Sequence, residues 1–131
     1  MGNKRLTKNF NQSEFDCRDG SIMPVDVFEN IVELAENLQV LRDFVRLPIK
    51  VNSGFRTPEY NALLVGGAKN SQHLLGKAGD IVINGLQPVQ VADIIMELID
   101  KGQMKQGGIG VYNTFCHYDT RGNSDRWDYR K

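Results

Sequence analysis

Ser71-Gln72-His73-Leu74-Leu75-Gly76-Lys77-Ala78-Gly79-Asp80, running on into Ile81-Val82-Ile83, is the stretch on which the reading of this chain turns. The apolar triplet predicts a buried strand from about Gly79 to Ile83. His73 is one of only two histidines, and Gly76, Ala78 and Gly79 keep the chain between it and Asp80 slim enough to fold tightly. The other histidine, His117, lies far downstream in Phe115-Cys116-His117-Tyr118-Asp119. Two imidazoles and a carboxylate form a ligand set suited to a catalytic zinc, which takes three protein ligands and leaves its fourth position to water. Asp80 is costly to bury unless it is paired or coordinated. A metal meets that need, and so does a salt bridge to Arg56 or Lys77.

The bulk of the chain bounds the answer. Its 131 residues suffice for one domain with its own hydrophobic core. Sixteen basic and sixteen acidic residues cancel, which argues against a nucleic-acid partner, whose binding surface needs a basic excess. No apolar run approaches the roughly 20 residues that span a bilayer, so no membrane insertion is expected. The opening Met1-Gly2-Asn3-Lys4-Arg5-Leu6 is basic without the apolar centre of a secretory signal, and the expectation is a chain made and kept in the cytosol until something releases it. Cys17 and Cys116 form no Cys-x-x-Cys pattern. Two buried free thiols suit a cytosolic chain, and one long-range disulfide is the alternative. A monomer is the default.

Working outward, residues 1–20 are polar and turn-rich, with Phe10 and Phe15 as plugs and Asp19-Gly20-Ser21 as a turn. A helix is predicted to start near Pro24, at its first position. Val27, Ile31, Leu34, Leu38, Leu41 and Val45 share one face of it, to back a sheet. After Pro48, Ile49 to Phe55 alternates like a half-buried strand. Arg56 follows at its end, and Thr57-Pro58-Glu59 reads as cap, first position and acidic first turn of a short helix through Leu64, stopped by Gly66-Gly67. Arg56 thus sits at a rigid junction from which a guanidinium can be aimed, or else makes a surface ion pair. Pro88 opens a further helix with Val91, Ile94, Ile95, Leu98 and Ile99 inward, and Gly102 ends it. Gly107–Tyr112 and Phe115–Thr120 read as a hairpin, with Phe115, His117 and Asp119 on one face and Cys116 and Tyr118 on the other. A last short strand carries Trp127 as a packing anchor.

Ser71-x-His73-x-x-Gly76-x-Ala78-x-Asp80 resembles the Ser-x-His-x-x-Gly-x-Ala-x-Asp signature of the M15 metallopeptidases, the D-alanyl-D-alanine carboxypeptidase and dipeptidase family. Ser53-Gly54-Phe55-Arg56 resembles that family's Ser-Gly-Tyr-Arg segment, and Gly107–Tyr112 with Phe115-x-His117-x-Asp119 its closing hairpin. The resemblance covers roughly residues 10–127 and is nearest to the short M15 proteins of phages and to bacterial cell-wall enzymes. It implies an α+β fold, a small antiparallel sheet flanked by helices, shared with lysostaphin-type peptidases and the hedgehog signalling domain. It implies a Zn2+ cofactor on His73, Asp80 and His117, Arg56 stabilising the developing oxyanion, and Ser71 contacting substrate. The implied reaction is zinc-assisted hydrolysis of peptidoglycan stem peptides, often at bonds next to D-alanine.

One position departs from the pattern. Several M15 enzymes carry a catalytic carboxylate three residues before the last histidine ligand, where this chain has Thr114. Threonine is no general base at neutral pH. Asp119, two residues after His117 on the same face, is the expected substitute as catalytic base; it can instead orient His117 or serve as a fourth ligand. Two functions follow from this: a peptidase, including a phage lysis or virion-borne enzyme that needs a holin, a virion or cell lysis to reach the wall, or a zinc-containing binding module that has lost catalysis.

Overall fold

A computed structural model describes residues 3–64 and 70–131 of the chain. The Gly66-Gly67 helix stop and the Ala68-Lys69 part of the following loop lie outside the described residues.

The helix α1 spans Val25–Val45. Its buried face is Val27, Ile31, Leu34, Leu38 and Leu41, joined by Ala35, while Val45 at the last turn is only half-buried. Burying those five large side chains contributes about 8–15 kcal/mol gross, opposed by the entropy of ordering them. Pro24 is the N-cap rather than the first helical residue: its ψ of 156° is extended, and its carbonyl accepts the Phe28 N–H at 2.9 Å. The locked φ of proline suits either position, and only ψ distinguishes them. The helix ends on Arg46 in the left-handed region, at φ 59° and ψ 30°. A side chain there costs roughly 1–2 kcal/mol of backbone strain. We therefore expect Arg46→Gly to raise stability by about 0.5–1 kcal/mol, after allowing for the looser unfolded chain, as measured by urea unfolding.

Strand β1 (Ile49–Ser53) is followed by the short helix α2 (Pro58–Leu63), capped by the Thr57 hydroxyl, which accepts the Tyr60 N–H. The 3-10 turn Gln72–Leu75 precedes β2 (Ala78–Ile83). Helix α3 (Pro88–Asp100) buries Val91, Ala92, Ile95 and Leu98, with Ile94 and Ile99 at the flanks, half-exposed. Strands β3 (Gly108–Val111) and β4 (Cys116–Asp119) form the expected hairpin, and β5 (Asp125–Asp128) closes the chain. Among the described residues no helix is long and apolar enough to cross a membrane.

The five strands make one sheet in the order β1-β2-β4-β3-β5. The fold is α+β, with every neighbouring pair antiparallel except β3 and β5, which run parallel. Ile81, Ile83, Ile109, Val111, Cys116 and Tyr118 face one way, into a core that holds α1, α3, Phe10 and Phe15. Gly79 lies under α1: a Cβ there would touch Leu34 and Leu38. Both cysteines are free and buried. Burial, helped by the charge of Asp80, pushes the Cys116 thiol up to about 12. Because only a thiolate attacks alkylating reagents, Cys116 should stay unmodified by iodoacetamide at pH 8 in the native protein and react in guanidinium. Mass spectrometry reads the difference, and native labelling of Cys116 would contradict the packing described here.

Candidate functional site

On the opposite face of the sheet one row of residues runs across the strands. Ser53 pairs with Asp80, Asp80 with His117, His117 with Gly110, and Gly110 with Trp127, so the row crosses all five strands. Residues directly opposite one another share a face. Ser53 reaches the row only through an irregularity. The register slips between Val51 and Ser53, and without that bulge Ser53 would follow Ile49 and Val51 into the core. Bulges beside functional sites commonly re-aim a side chain in this way.

His73 joins the row from the 3-10 turn. The turn is capped by Ser71, whose Oγ accepts the His73 N–H at 3.1 Å, and closed by Gly76 at φ 73°. A side chain at Gly76 would be strained by that φ and would also run into Val27 of α1. The slim chain expected between His73 and Asp80 is therefore pressed between the sheet and α1.

His73 Nε2 lies 3.2 Å and His117 Nδ1 3.1 Å from the same atom, Asp80 Oδ1. The three side chains form a group able to hold a metal ion, their ligand atoms all lying within 4.8 Å of one another. Their far sides show what the convergence requires. His73 Nδ1 is 2.7 Å from the Gly54 carbonyl, which can only accept, so that nitrogen carries the proton. His117 Nε2 is 2.7 Å from Asp119 Oδ2 and donates to it. In neutral imidazoles both remaining nitrogens then present lone pairs to a carboxylate oxygen, an arrangement that only added positive charge stabilises. Bound protons supply it, and so does one shared cation. Zinc at 2.0–2.2 Å from its ligands sets tetrahedral ligand atoms about 3.3–3.5 Å apart, close to the two spacings observed. The residues fit such an ion.

The Asp80 carboxylate is held well below the usual range. Burial pushes its pKa up, and hydrogen bonds and charge from His117 and His73 more than reverse this. Its second oxygen accepts from Arg56 Nη2 at 3.2 Å. Arg56 rather than Lys77 thus meets its charge, from a guanidinium only 14% exposed, so the pair lies within the fold and not on the surface. Arg56 Nε also donates to Ser53 Oγ at 3.1 Å and Nη1 to buried Asn61 Oδ1 at 3.2 Å.

Asp119 sits behind His117 with no exposed surface. Besides His117, it accepts from Gly108 N–H at 2.8 Å and from Arg121 Nε and Nη2 at 2.9 and 2.8 Å. Burial raises its pKa, and the donors, His117 first, bring it well below the ordinary range. So placed, the carboxylate is an orienting partner for His117 and is screened from any water in the cleft. It also lies outside the metal-capable trio. Gly108 makes this possible, since any side chain there would overlap the Asp119 carboxylate.

The trio opens into a cleft of about 570 Å³ walled by Arg56, Ser71, Tyr112, Phe115, Arg121 and Trp127, among others. Trp127, expected as a packing anchor, is half-buried on this wall and its ring centroid is 5.0 Å from that of His117. Thr114 is exposed in the hairpin turn and does not line this cleft. The sequence reading missed Ser53, Asn61, Tyr112 and Arg121 as parts of the site. A signal existed for two of them: Ser53 stands at the end of a strand that meets Asp80, and Arg121 follows Asp119 closely enough to chelate its carboxylate.

A protein-family model described as Peptidase M15 matches residues 8–119. The chain belongs to the M15 peptidase family. It is also 33% identical over 111 residues to a Haemophilus influenzae protein named as the probable peptidoglycan L,D-endopeptidase MepK. That match takes in 80% of this chain and 55% of the relative, so the chain spans about half the length of the curated protein it resembles. With membership established, the open cleft above His73, Asp80 and His117 becomes the candidate active site of a family member.

Proposed function

We propose that this domain is a zinc-dependent peptidase that hydrolyses peptide bonds in peptidoglycan stem peptides or cross-links. The observation that carries this reading is the convergence of His73 Nε2, His117 Nδ1 and Asp80 Oδ1 in an open cleft, each histidine anchored on its far side. These three residues would hold the ion, which supplies Lewis acidity toward a scissile carbonyl and toward water. The Gly54 carbonyl and Asp119 keep the two imidazoles in the tautomers that leave the inward nitrogens open. Arg56, tied to Ser53, Asn61 and Asp80, presents a fixed positive charge to the substrate oxygen on which negative charge grows. Ser71, half-buried on the cleft wall, contacts the bound peptide. The relative named as a peptidoglycan L,D-endopeptidase supports a wall peptide as substrate. The domain acts as a monomer at the cell wall, after release from the cytosol or as part of a virion.

A second reading, a zinc-containing module that binds peptidoglycan without cutting it, draws on the carboxylate inventory. Thr114 lies outside the cleft and Asp119 is fully engaged, so among the described residues the carboxylates lining the cleft are Asp80 and Asp125. Digestion of purified peptidoglycan with and without a chelator, with products identified by mass spectrometry, separates the two. Chelator-sensitive release of peptides establishes the peptidase and names the bond. Zinc-loaded protein that releases nothing from any wall type tested establishes the module.

A further inference from the structure

Gly108, Gly110 and Tyr112 alternate onto the face that carries the site, and Tyr112 stays within the ladder because its N–H reaches the Phe115 carbonyl at 3.1 Å. Gly110 leaves a gap in the row beside His117. Trp127 fills it, its indole lying where any Gly110 side chain would stand. From there Trp127 Nε1 donates to the Tyr112 hydroxyl at 3.0 Å. The phenol ring is fixed on two further sides, stacked on Phe115 at 4.3 Å between centroids and 13° between planes, and met edge-on by Tyr129 at 5.6 Å. Tyr112 lines the cleft together with Arg56, His73, Asp80 and His117. Among the described residues its oxygen accepts one hydrogen bond and donates none. Burial pushes the phenol above its ordinary pKa, so it carries its proton at neutral pH. A rigid, protonated hydroxyl with an unspent donor therefore stands in the wall of the cleft.

We propose that Tyr112 is a further catalytic residue, donating a hydrogen bond from its phenol to the carbonyl oxygen of the scissile peptide bond, alongside Arg56, and that Trp127 positions it. This rests on the peptidase reading above. Preorganised donors of this kind act mainly on the transition state, where the oxygen becomes negative, and removing one typically costs about 100- to 1000-fold in kcat.

The test is Tyr112→Phe, which keeps the ring and its stacking, assayed on soluble cross-linked muropeptides that the wild type cuts. The expected result is a fall in kcat of about 100-fold, with KM within about 2-fold and unchanged zinc content and melting temperature. A phosphinate dipeptide analogue, whose tetrahedral oxygens imitate the charged transition state, should bind Tyr112→Phe about 100-fold more weakly by calorimetry, while product peptide binds both proteins alike. Trp127→Phe removes the positioning N–H and should lower kcat in the same direction by a smaller factor. Wild-type kcat in Tyr112→Phe, or a raised KM with kcat unchanged, overturns the proposal and leaves Tyr112 as a wall of the cleft. A wild type that cuts nothing overturns the peptidase reading itself, and this assignment with it.

Discussion

Asp119→Asn should weaken zinc binding by about 100-fold, the upper end for loss of a partner that orients a metal-ligating histidine, and peptide release should fall with it at limiting zinc. The substitution keeps the shape and removes the charge. The carboxylate now accepts from His117 Nε2, the Gly108 N–H and three nitrogens of Arg121, its backbone N–H, Nε and Nη2. An amide can accept on one side only, and its NH2 must then face donors, either His117 Nε2 and Arg121 Nη2 on one side or the Gly108 N–H, the Arg121 N–H and Arg121 Nε on the other. If it faces His117, the imidazole proton moves to Nδ1, the atom aimed at Asp80 Oδ1, and that nitrogen no longer offers a lone pair to a cation. Asp119→Ala should be harsher on stability, by roughly 3–5 kcal/mol, because it leaves a partly buried arginine and a buried imidazole without their shared counter-charge. Zinc competition against a chromophoric chelator measures the first effect and urea unfolding the second. Full zinc affinity in Asp119→Asn would mean that the tautomer of His117 is held by something other than Asp119.

Chelation should abolish hydrolysis yet leave the domain folded, with its far-UV circular dichroism unchanged. The apolar core lies on the other side of the sheet from His73, Asp80 and His117, and it is closed by α1 and α3 without help from the site. Without a cation, Asp80 retains Arg56 as a partner, so no isolated buried charge is created. Adding zinc back at 100 times its dissociation constant should stabilise the fold by about 2.7 kcal/mol, roughly 10 °C in melting temperature for a domain of this size. The gain should depend on pH in a definite direction. Burial lowers the His117 pKa, but its hydrogen bonds to the Asp119 and Asp80 carboxylates and their charge raise it more, leaving it above its unfolded value of 6.5. In metal-free protein that group's contribution is fully present below pH 6.5 and is lost as pH rises through the folded value. Zinc competes with the same protons and binds more tightly as they leave. The zinc-induced shift in melting temperature should therefore grow from pH 6 upward, and calorimetric scans across that range check it. A metal-free protein that unfolds outright at neutral pH would show that the ion is part of the core after all.

Much of the local structure was legible because it depends on near neighbours. The 3.6-residue spacing from Val27 to Leu41, the Thr57-Pro58 cap and the glycine turn after His73 each act over a few residues, and the elements appear within a residue or two of their expected bounds. Pro24 missed by one position because a cap and a first turn differ only in ψ. Ile94 and Ile99, at the edges of the inward face of α3, pack against the core but stay partly exposed, because periodicity marks a face but not where a neighbouring element stops covering it.

By itself the sequence determined the residue types of the candidate site: His73 and Asp80 in one slim motif, a second histidine far downstream, and an arginine at a strand-to-helix junction. Chemistry so specific survives in the order of the letters. Only the tertiary structure decided the row across the sheet, because register joins strands that the chain separates by tens of residues. The bulge that turns Ser53 toward Asp80, the parallel edge strand that lays Trp127 over Gly110, and the burial of Asp119 behind His117 all follow from that register. An aspartate two residues from a histidine reads the same whether it faces water or an arginine. Which of these it faces is set by what packs behind the sheet face, and there Gly108 and Arg121 join His117 in donating to the buried Asp119 carboxylate.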